Sequence, residues 1–363
     1  MNSKTIILLA LIVLTVNSSC KKSNTSKQAE DVSQTFTNPL FLKGGPDPWA
    51  LFHDGKYYYM HTMKDCLVLW VTEDITNVRN AIKKTIWKPT DPKNSKNLWA
   101  PEIHFIDGKW YVYYAADDGN SDNHQLYVLE NPNKDPLTGD FVMKGRISTD
   151  EDNNWAIDGS VFENQGKWYM VWSGWQTRRV DDETQCIYIA SMKNPWTLDS
   201  KRIIISKPKF DWERKYINKN GWTPSHKIFV NEGPQPLLSP NGKYIHIAYS
   251  ASGCWTPYYA LGLLTAKTTN NLLDPKSWQK SPVPVFTQSP ENKVYGTGHN
   301  CFFKSPDGKE YYILYHARDT ETDPLGKGDT RTPRIQKFTW DKNDFPVFGI
   351  PLPTSQRLPK PSK

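Results

Sequence analysis

At 363 residues, with 13 % aromatic side chains that include 15 Trp and 18 Tyr, and with 27 Pro and 21 Gly punctuating it throughout, the chain carries no long helical periodicity and has an all-β composition. A formal charge of +7, from 45 basic against 38 acidic residues, is spread over scattered lysines such as Lys83, Lys93 and Lys207, which speaks against nucleic acid as a partner and for a solvated surface. No cysteine pair has C-x-x-C spacing, so a structural zinc site is unsupported; Cys66, Cys186, Cys254 and Cys301 read as small buried thiols, with no disulfide assigned.

The chain opens with Lys4, an apolar run from Ile6 to Val16, and Asn17-Ser18-Ser19-Cys20. A positive start, a hydrophobic stretch too short to span a bilayer and small residues before a cysteine predict export. Residues 1–19 resemble a signal peptide of the bacterial lipoprotein type, with Cys20 as the lipidated first residue of the mature chain and the sole membrane contact. Asn17 stands where an aliphatic residue is usual, so ordinary secretory cleavage is the alternative. Residues 20–38 are polar and aperiodic, as a tether is. Residues 39–363 hold no Gly/Ser linker and are expected to form one domain.

Within that domain a short turn of Asp, Gln or Asn followed by Gly-Lys leads five times into an aromatic-rich run. The runs are Asp54-Gly55-Lys56-Tyr57-Tyr58, Asp107-Gly108-Lys109-Trp110-Tyr111, Gln165-Gly166-Lys167-Trp168-Tyr169, Asn241-Gly242-Lys243-Tyr244-Ile245 and Asp307-Gly308-Lys309-Glu310-Tyr311. The Gly supplies the positive φ of a hairpin turn, and the following residues suit a half-buried strand. Intervals of 53, 58, 76 and 66 residues between the glycines fit a four-stranded blade plus loops. The spacing predicts a five-bladed β-propeller. The longest interval carries an excess near residues 196–227 that is the candidate wall of a closed ligand pocket.

Three acids recur at one place in this repeat. Asp47, Asp158 and Glu232, each beside Gly or Pro, lie eight to ten residues before their turn glycine. Because the first strand of a propeller blade lines the central channel, these positions are expected to converge at one mouth. Glu102, in Trp99-Ala100-Pro101-Glu102, is a marked competitor at an offset of six.

Taken in order, Gly45-Pro46-Asp47-Pro48-Trp49, Trp99-Ala100-Pro101-Glu102, Ile157-Asp158-Gly159-Ser160, Asn231-Glu232-Gly233-Pro234 and Gly296-Thr297-Gly298-His299-Asn300 resemble glycoside hydrolase family 43 over about residues 40–352. Ser250-Ala251-Ser252-Gly253-Cys254-Trp255, Tyr312-Ile313-Leu314-Tyr315-His316 and Arg331-Thr332-Pro333-Arg334 look most like its exo-acting α-L-arabinofuranosidases, although Thr297 stands where those relatives often carry Pro. The resemblance implies a five-bladed propeller, hydrolysis with inversion, Asp47 as general base, Glu232 as general acid, and Asp158 as the carboxylate that raises the acid's pKa and orients it. It also implies an oligo- or polysaccharide substrate and no required cofactor, with a structural Ca2+ held mainly through waters near His299. β-Xylosidase, endo-arabinanase and a non-catalytic carbohydrate-binding propeller are the alternatives.

The chemistry of such a trio is general. Glycoside hydrolysis needs an acid for the leaving oxygen and, for inversion, a base that activates water from the opposite face about 6.5–9.5 Å away. Trp49, Trp99 and Trp255 are candidates to stack on sugar, and Arg331, Arg334 and His61 to bond its hydroxyls.

Overall fold

The structure is a computed structural model and describes residues 32–177, 182–322 and 329–363. Five antiparallel sheets follow one another along the chain, over residues 49–87, 96–146, 156–206, 231–280 and 295–347, and within four of them the strands pair strictly in sequence order. In the third blade the strand Cys186–Asn194 pairs on its outer side with both Thr197–Leu198 and Ile203–Ser206. This is the five-bladed propeller that the turn spacing predicts.

All five turn glycines adopt positive φ, between 71° and 80°. In the first three blades the residue before the glycine is left-handed as well, with Asp54 at 48°, Asp107 at 49° and Gln165 at 53°, which is the two-residue turn whose twist matches the flanking strands. The fourth and fifth blades use wider loops, between Leu238 and Tyr244 and between Lys304 and Tyr311.

The strands after these turns are buried on both faces, where the sequence predicts half-burial. Along Lys109–Asp117, Tyr111, Tyr113 and Ala115 pack toward the third blade, whereas Trp110, Val112 and Tyr114 pack toward the first. Alternation of period two thus feeds two separate cores. Each of the five apolar clusters lies between neighbouring blades, which explains the abundance of Trp and Tyr: a wedge between twisted sheets widens outward and takes large side chains.

A second repeat sits at the head of each blade's first strand. Asp47, Ala100, Asp158, Gly233 and His299 all have left-handed φ, at 56°, 44°, 57°, 54° and 46°. In four blades this residue coincides with a break in strand register, between Trp99 and Glu102, Ile157 and Ser160, Glu232 and Gln235, and Gly298 and Cys301. Such a bulge re-aims side chains at the rim of a sheet. Only Gly occupies this conformation freely, and Asp tolerates it better than most.

The domain boundary moves. Thr35–Phe36 pairs with Leu358–Pro359, Asn38 exchanges hydrogen bonds of 2.9 and 3.0 Å with the backbone of Ile335, and Leu40 N–H donates to Pro333 O at 2.8 Å. The fold therefore begins by residue 35 rather than 39, because Phe36 is an apolar anchor within an otherwise polar stretch and inserts into the core between the fifth and first blades. The expected signal peptide, Cys20 and most of the expected tether lie outside the described residues. Cys66, Cys186, Cys254 and Cys301 are unpaired.

Candidate active site

A cavity of about 350 Å³ opens at the mouth of the ring, and Asp47, Asp158 and Glu232 all line it, together with Trp99, Trp255, His299 and Arg331. The three acids come from the first, third and fourth blades, Asp47 just before its strand and Asp158 and Glu232 at the register breaks of theirs. Asp47 and Asp158 occupy the left-handed position itself, whereas Glu232 precedes its left-handed Gly233 by one residue.

Asp47 is 8 % exposed. Thr62 donates its hydroxyl to Oδ2 at 2.7 Å and Arg331 donates from Nη1 to Oδ1 at 3.1 Å. Thr62 in turn accepts the Ala100 N–H at 2.8 Å, so its single proton is directed at the carboxylate. The rest of the Arg331 fork is held by Asp329, through Nε at 3.0 Å and Nη2 at 2.7 Å. The Asp47 N–H donates to His316 Nδ1 at 3.1 Å, which places any proton of the neutral ring on Nε2. Burial, reinforced by Arg331, keeps His316 neutral by lowering its pKa well below the usual range.

Glu232 is half-buried, and its Oε1 accepts the Tyr259 hydroxyl at 2.7 Å. Burial pushes its pKa up to about 7; the Tyr259 hydrogen bond opposes this, the negative charge of Asp47 adds to it, and Arg331 works against it. The Asp158 carboxyl is raised well above its ordinary value, first by burial and then by the charges of Glu232 and Asp47, although the Gly233 N–H donates to Oδ2 at 2.9 Å. Two such carboxyls do not ionise together readily, so the pair retains one proton over a wide pH range. The Gly233 bond also ties Asp158 to the backbone that carries Glu232. Cys254 lines the same cavity, but burial pushes its thiol up to about 12, and it stays protonated.

The glycines of this region are set by close approach. A β-carbon on Gly298 would lie 2.3 Å from the Tyr259 ring, and one on Gly233 would press on the His299 ring at 3.3 Å. Gly-x-Gly-His is therefore the sequence that lets Tyr259 reach Glu232. Thr297 is fully buried and is not among the residues that line the cavity.

Among the predicted sugar contacts, Trp99, Trp255 and Arg331 line the cavity, and Trp99 is half-buried with its ring stacked on His124 at 3.9 Å. Trp49, His61 and Arg334 do not, which corrects those three expectations. Trp49 is a packing residue: its indole donates to Ile103 O at 2.9 Å and its ring lies 4.7 Å from His104. His61 is sandwiched among Phe41, Tyr59 and Trp70, and burial lowers its pKa to about 4. Arg334 is fully buried and reaches Asp319 at 2.8 Å. Glu102 is removed as a competitor, since its two oxygens bond Gln235 Nε2 and His104 Nε2 and it lies off the cavity, two residues past the left-handed Ala100.

The donor set around His299 does not make a Ca2+ cage. Its Nδ1 is 3.4 Å from Asp47 Oδ1, an oxygen already taken by Arg331, and burial lowers the ring's pKa. Among the described residues no group of three or more His, Cys, Asp or Glu is placed to hold a metal ion, whereas Ca2+ wants six to eight oxygens.

Eight cavity-lining residues, among them Thr62, Lys64, Trp155 and Cys254, lie outside the set of candidate site residues read from the sequence. Thr62 had a signal. The first hairpin pairs Trp49 with Met60 and His53 with Lys56, and continuing that register puts residue 62 opposite 47. The expected wall over residues 196–227 contributes indirectly: Tyr216 O accepts the Trp255 indole at 2.7 Å, and Asn218 Nδ2 donates to Trp255 O at 2.7 Å.

Comparison with known proteins gives one consistent picture. A family model described as glycosyl hydrolases family 43 matches residues 36–346. An extracellular exo-α-(1→5)-L-arabinofuranosidase of Streptomyces avermitilis is 38 % identical over 96 % of this chain and 69 % of its own length. The α-L-arabinofuranosidase 43 of Humicola insolens is 36 % identical over 88 % of this chain, which spans 64 % of that relative. Among solved structures, the α-L-arabinofuranosidase of Lactobacillus brevis superposes with a TM-score of 0.79 at 35 % identity, covering 88 % of this chain and 98 % of that one.

Proposed function

From the premise that the chain belongs to glycosyl hydrolase family 43, we propose that it removes terminal α-L-arabinofuranosyl residues from plant or algal polysaccharide in one inverting displacement. It is a glycoside hydrolase. The observation that carries the reading is the meeting of Asp47, Asp158 and Glu232 in one small cavity walled by Trp99 and Trp255, because a mere carbohydrate binder has no use for a protonated acid facing a base. Asp47 takes the proton of the attacking water, oriented by Thr62 and Arg331. Glu232 delivers its proton to the leaving oxygen, and a pKa of about 7 keeps that proton in place up to neutral pH. Asp158 holds the acid's backbone through the Gly233 N–H and, as its partner in a pair that retains one proton, opposes the loss of that proton when it is itself charged. The enzyme acts outside the cytoplasm, as the Streptomyces relatives named extracellular do, with lipidation of Cys20 as the finer part of the proposal.

Proton NMR of arabinan digestion tests this directly. Free arabinose is expected from the first moments, with the β-anomer appearing before mutarotation, because inversion at an α-L-furanoside gives the β-hemiacetal. Early oligosaccharides would mean internal cleavage, and initial α-arabinose would mean a covalent intermediate and different roles for Asp47 and Glu232.

Asp158→Asn has a separate signature. The two carboxyls share one proton over a wide pH range, and the form that delivers it has the proton on Glu232 beside a charged Asp158, whose repulsion opposes a second ionisation. A neutral Asn removes that repulsion, so the pKa of Glu232 falls and the alkaline limb of kcat/KM moves to lower pH. A fall in rate with an unmoved limb would leave Asp158 with orientation alone.

A further inference from the structure

Ten large hydrophobic side chains are exposed among the described residues, and Trp222 is the one aromatic in that set, at 52 % exposure. It sits in the excess segment of the long interval, and its position is specific. Its ring centre lies 6.2 Å from that of Trp255 at an interplanar angle of 76°, so the edge of one indole meets the face of the other at the cavity wall. Asn218 fixes both residues: its side chain donates to Trp255 O at 2.7 Å and its backbone N–H donates to Trp222 O at 2.8 Å. Gly221, at φ 83°, closes the turn with an N–H to Asn218 O.

The base of this segment is rigid. Glu213 is fully buried and accepts the N–H groups of Lys209 and Phe210 at 2.7 and 2.8 Å, the Tyr249 hydroxyl at 2.9 Å and Asn231 Nδ2 at 3.1 Å. Asn231 is the residue before Glu232. The backbone of the segment also takes up Ser252 and Gly253, which lead to Cys254 and Trp255. An exposed tryptophan is thus carried on a frame tied to the acid's own strand. Such pre-organisation lowers the ordering cost of binding.

An exo-acting cavity holds the terminal sugar, and the remainder of the substrate must leave through its mouth, past whatever borders Trp255. We propose that Trp222 is an acceptor-side platform, which stacks on the apolar face of the sugar next to the terminal one in oligomeric or polymeric arabinofuranosides. The proposal rests on the arabinofuranosidase reading. It makes Trp222 a binding and specificity residue with no part in proton transfer.

The test compares kcat/KM on an α-1,5-linked arabinotriose with kcat/KM on methyl α-L-arabinofuranoside, whose aglycone is too small to reach Trp222. In Trp222→Ala the ratio of the two is expected to fall about five- to tenfold, mainly through the KM of the trisaccharide, and Trp222→Phe, which keeps a ring face, is expected to restore most of it. A ratio equal to that of the unaltered enzyme overturns the proposal: if both substrates lose together, Trp222 only props Trp255, and if neither moves, it is a bystander. If the unaltered enzyme hydrolyses neither arabinofuranoside, the function reading itself fails and the platform falls with it.

Discussion

Glu232→Gln is expected to lower kcat on arabinan by about 10²–10⁴-fold, and far less on an arabinofuranoside whose leaving group is a strongly acidic phenol. The reason is chemical. A sugar alkoxide cannot depart without a proton, whereas a stabilised phenolate can. The amide fits the site because Tyr259, which donates to Glu232 at 2.7 Å, can donate equally to the amide oxygen. No charge is left buried, since burial already favours the protonated carboxyl of Glu232. The alkaline limb should disappear with the acid. Turnover of arabinan at the original rate by the purified variant would remove Glu232 from the mechanism.

Asp47→Asn is expected to lose about 10²–10⁴-fold on both substrates alike, because water must be activated whatever leaves. That loss is about 2.7–5.4 kcal/mol of barrier. Asn is the right replacement, since Asp47 sits at φ 56°, where Ala would add backbone strain of its own. The change is not silent for stability. Arg331 and Thr62 both donate to Asp47, and an amide can turn its oxygen to only one of them, so an unmet buried donor costs about 1–3 kcal/mol and Tm falls. Parallel rate measurements on the two leaving groups, with a melting curve for each variant, separate base from acid. Recovery of Asp47→Asn on the aryl substrate would contradict its assignment.

The propeller was legible because Gly-Lys turns recur and each has a conformational reason to. The candidate site was legible where the repeat fixed position: Asp47 and Asp158 share an offset of eight residues from their turn glycine, and Glu102 at six lies off the cavity. Side-chain direction was harder. Arg331 and Arg334 are three apart on or beside one strand, an odd spacing that turns them to opposite faces, so one meets Asp47 and the other Asp319. Trp49 and Trp255 are both tryptophans next to a motif, and only the three-dimensional path of the loop after Ala251 sets one on the cavity and the other between blades. Tyr259 carries no local sign of its role, because its contact with Glu232 depends on the missing β-carbon of Gly298.

Among the described residues no blade borrows a strand from another, so what fastens the first blade to the fifth is the packing between them, the Asp47–Arg331 ion pair, the bonds of Asn38 and Leu40 to the backbone of Ile335 and Pro333, and the short pairing of Thr35–Phe36 with Leu358–Pro359. The direction of that ladder has a mechanical meaning. The pair nearest both ends of the chain is Thr35 with Pro359, and Phe36 with Leu358 lies behind it. Tension applied through the two ends therefore peels the pairs one after another instead of shearing them together. A clasp of this kind tolerates the outward breathing of the blades and yields to a pull along the chain, so under load the seam opens before any blade unravels.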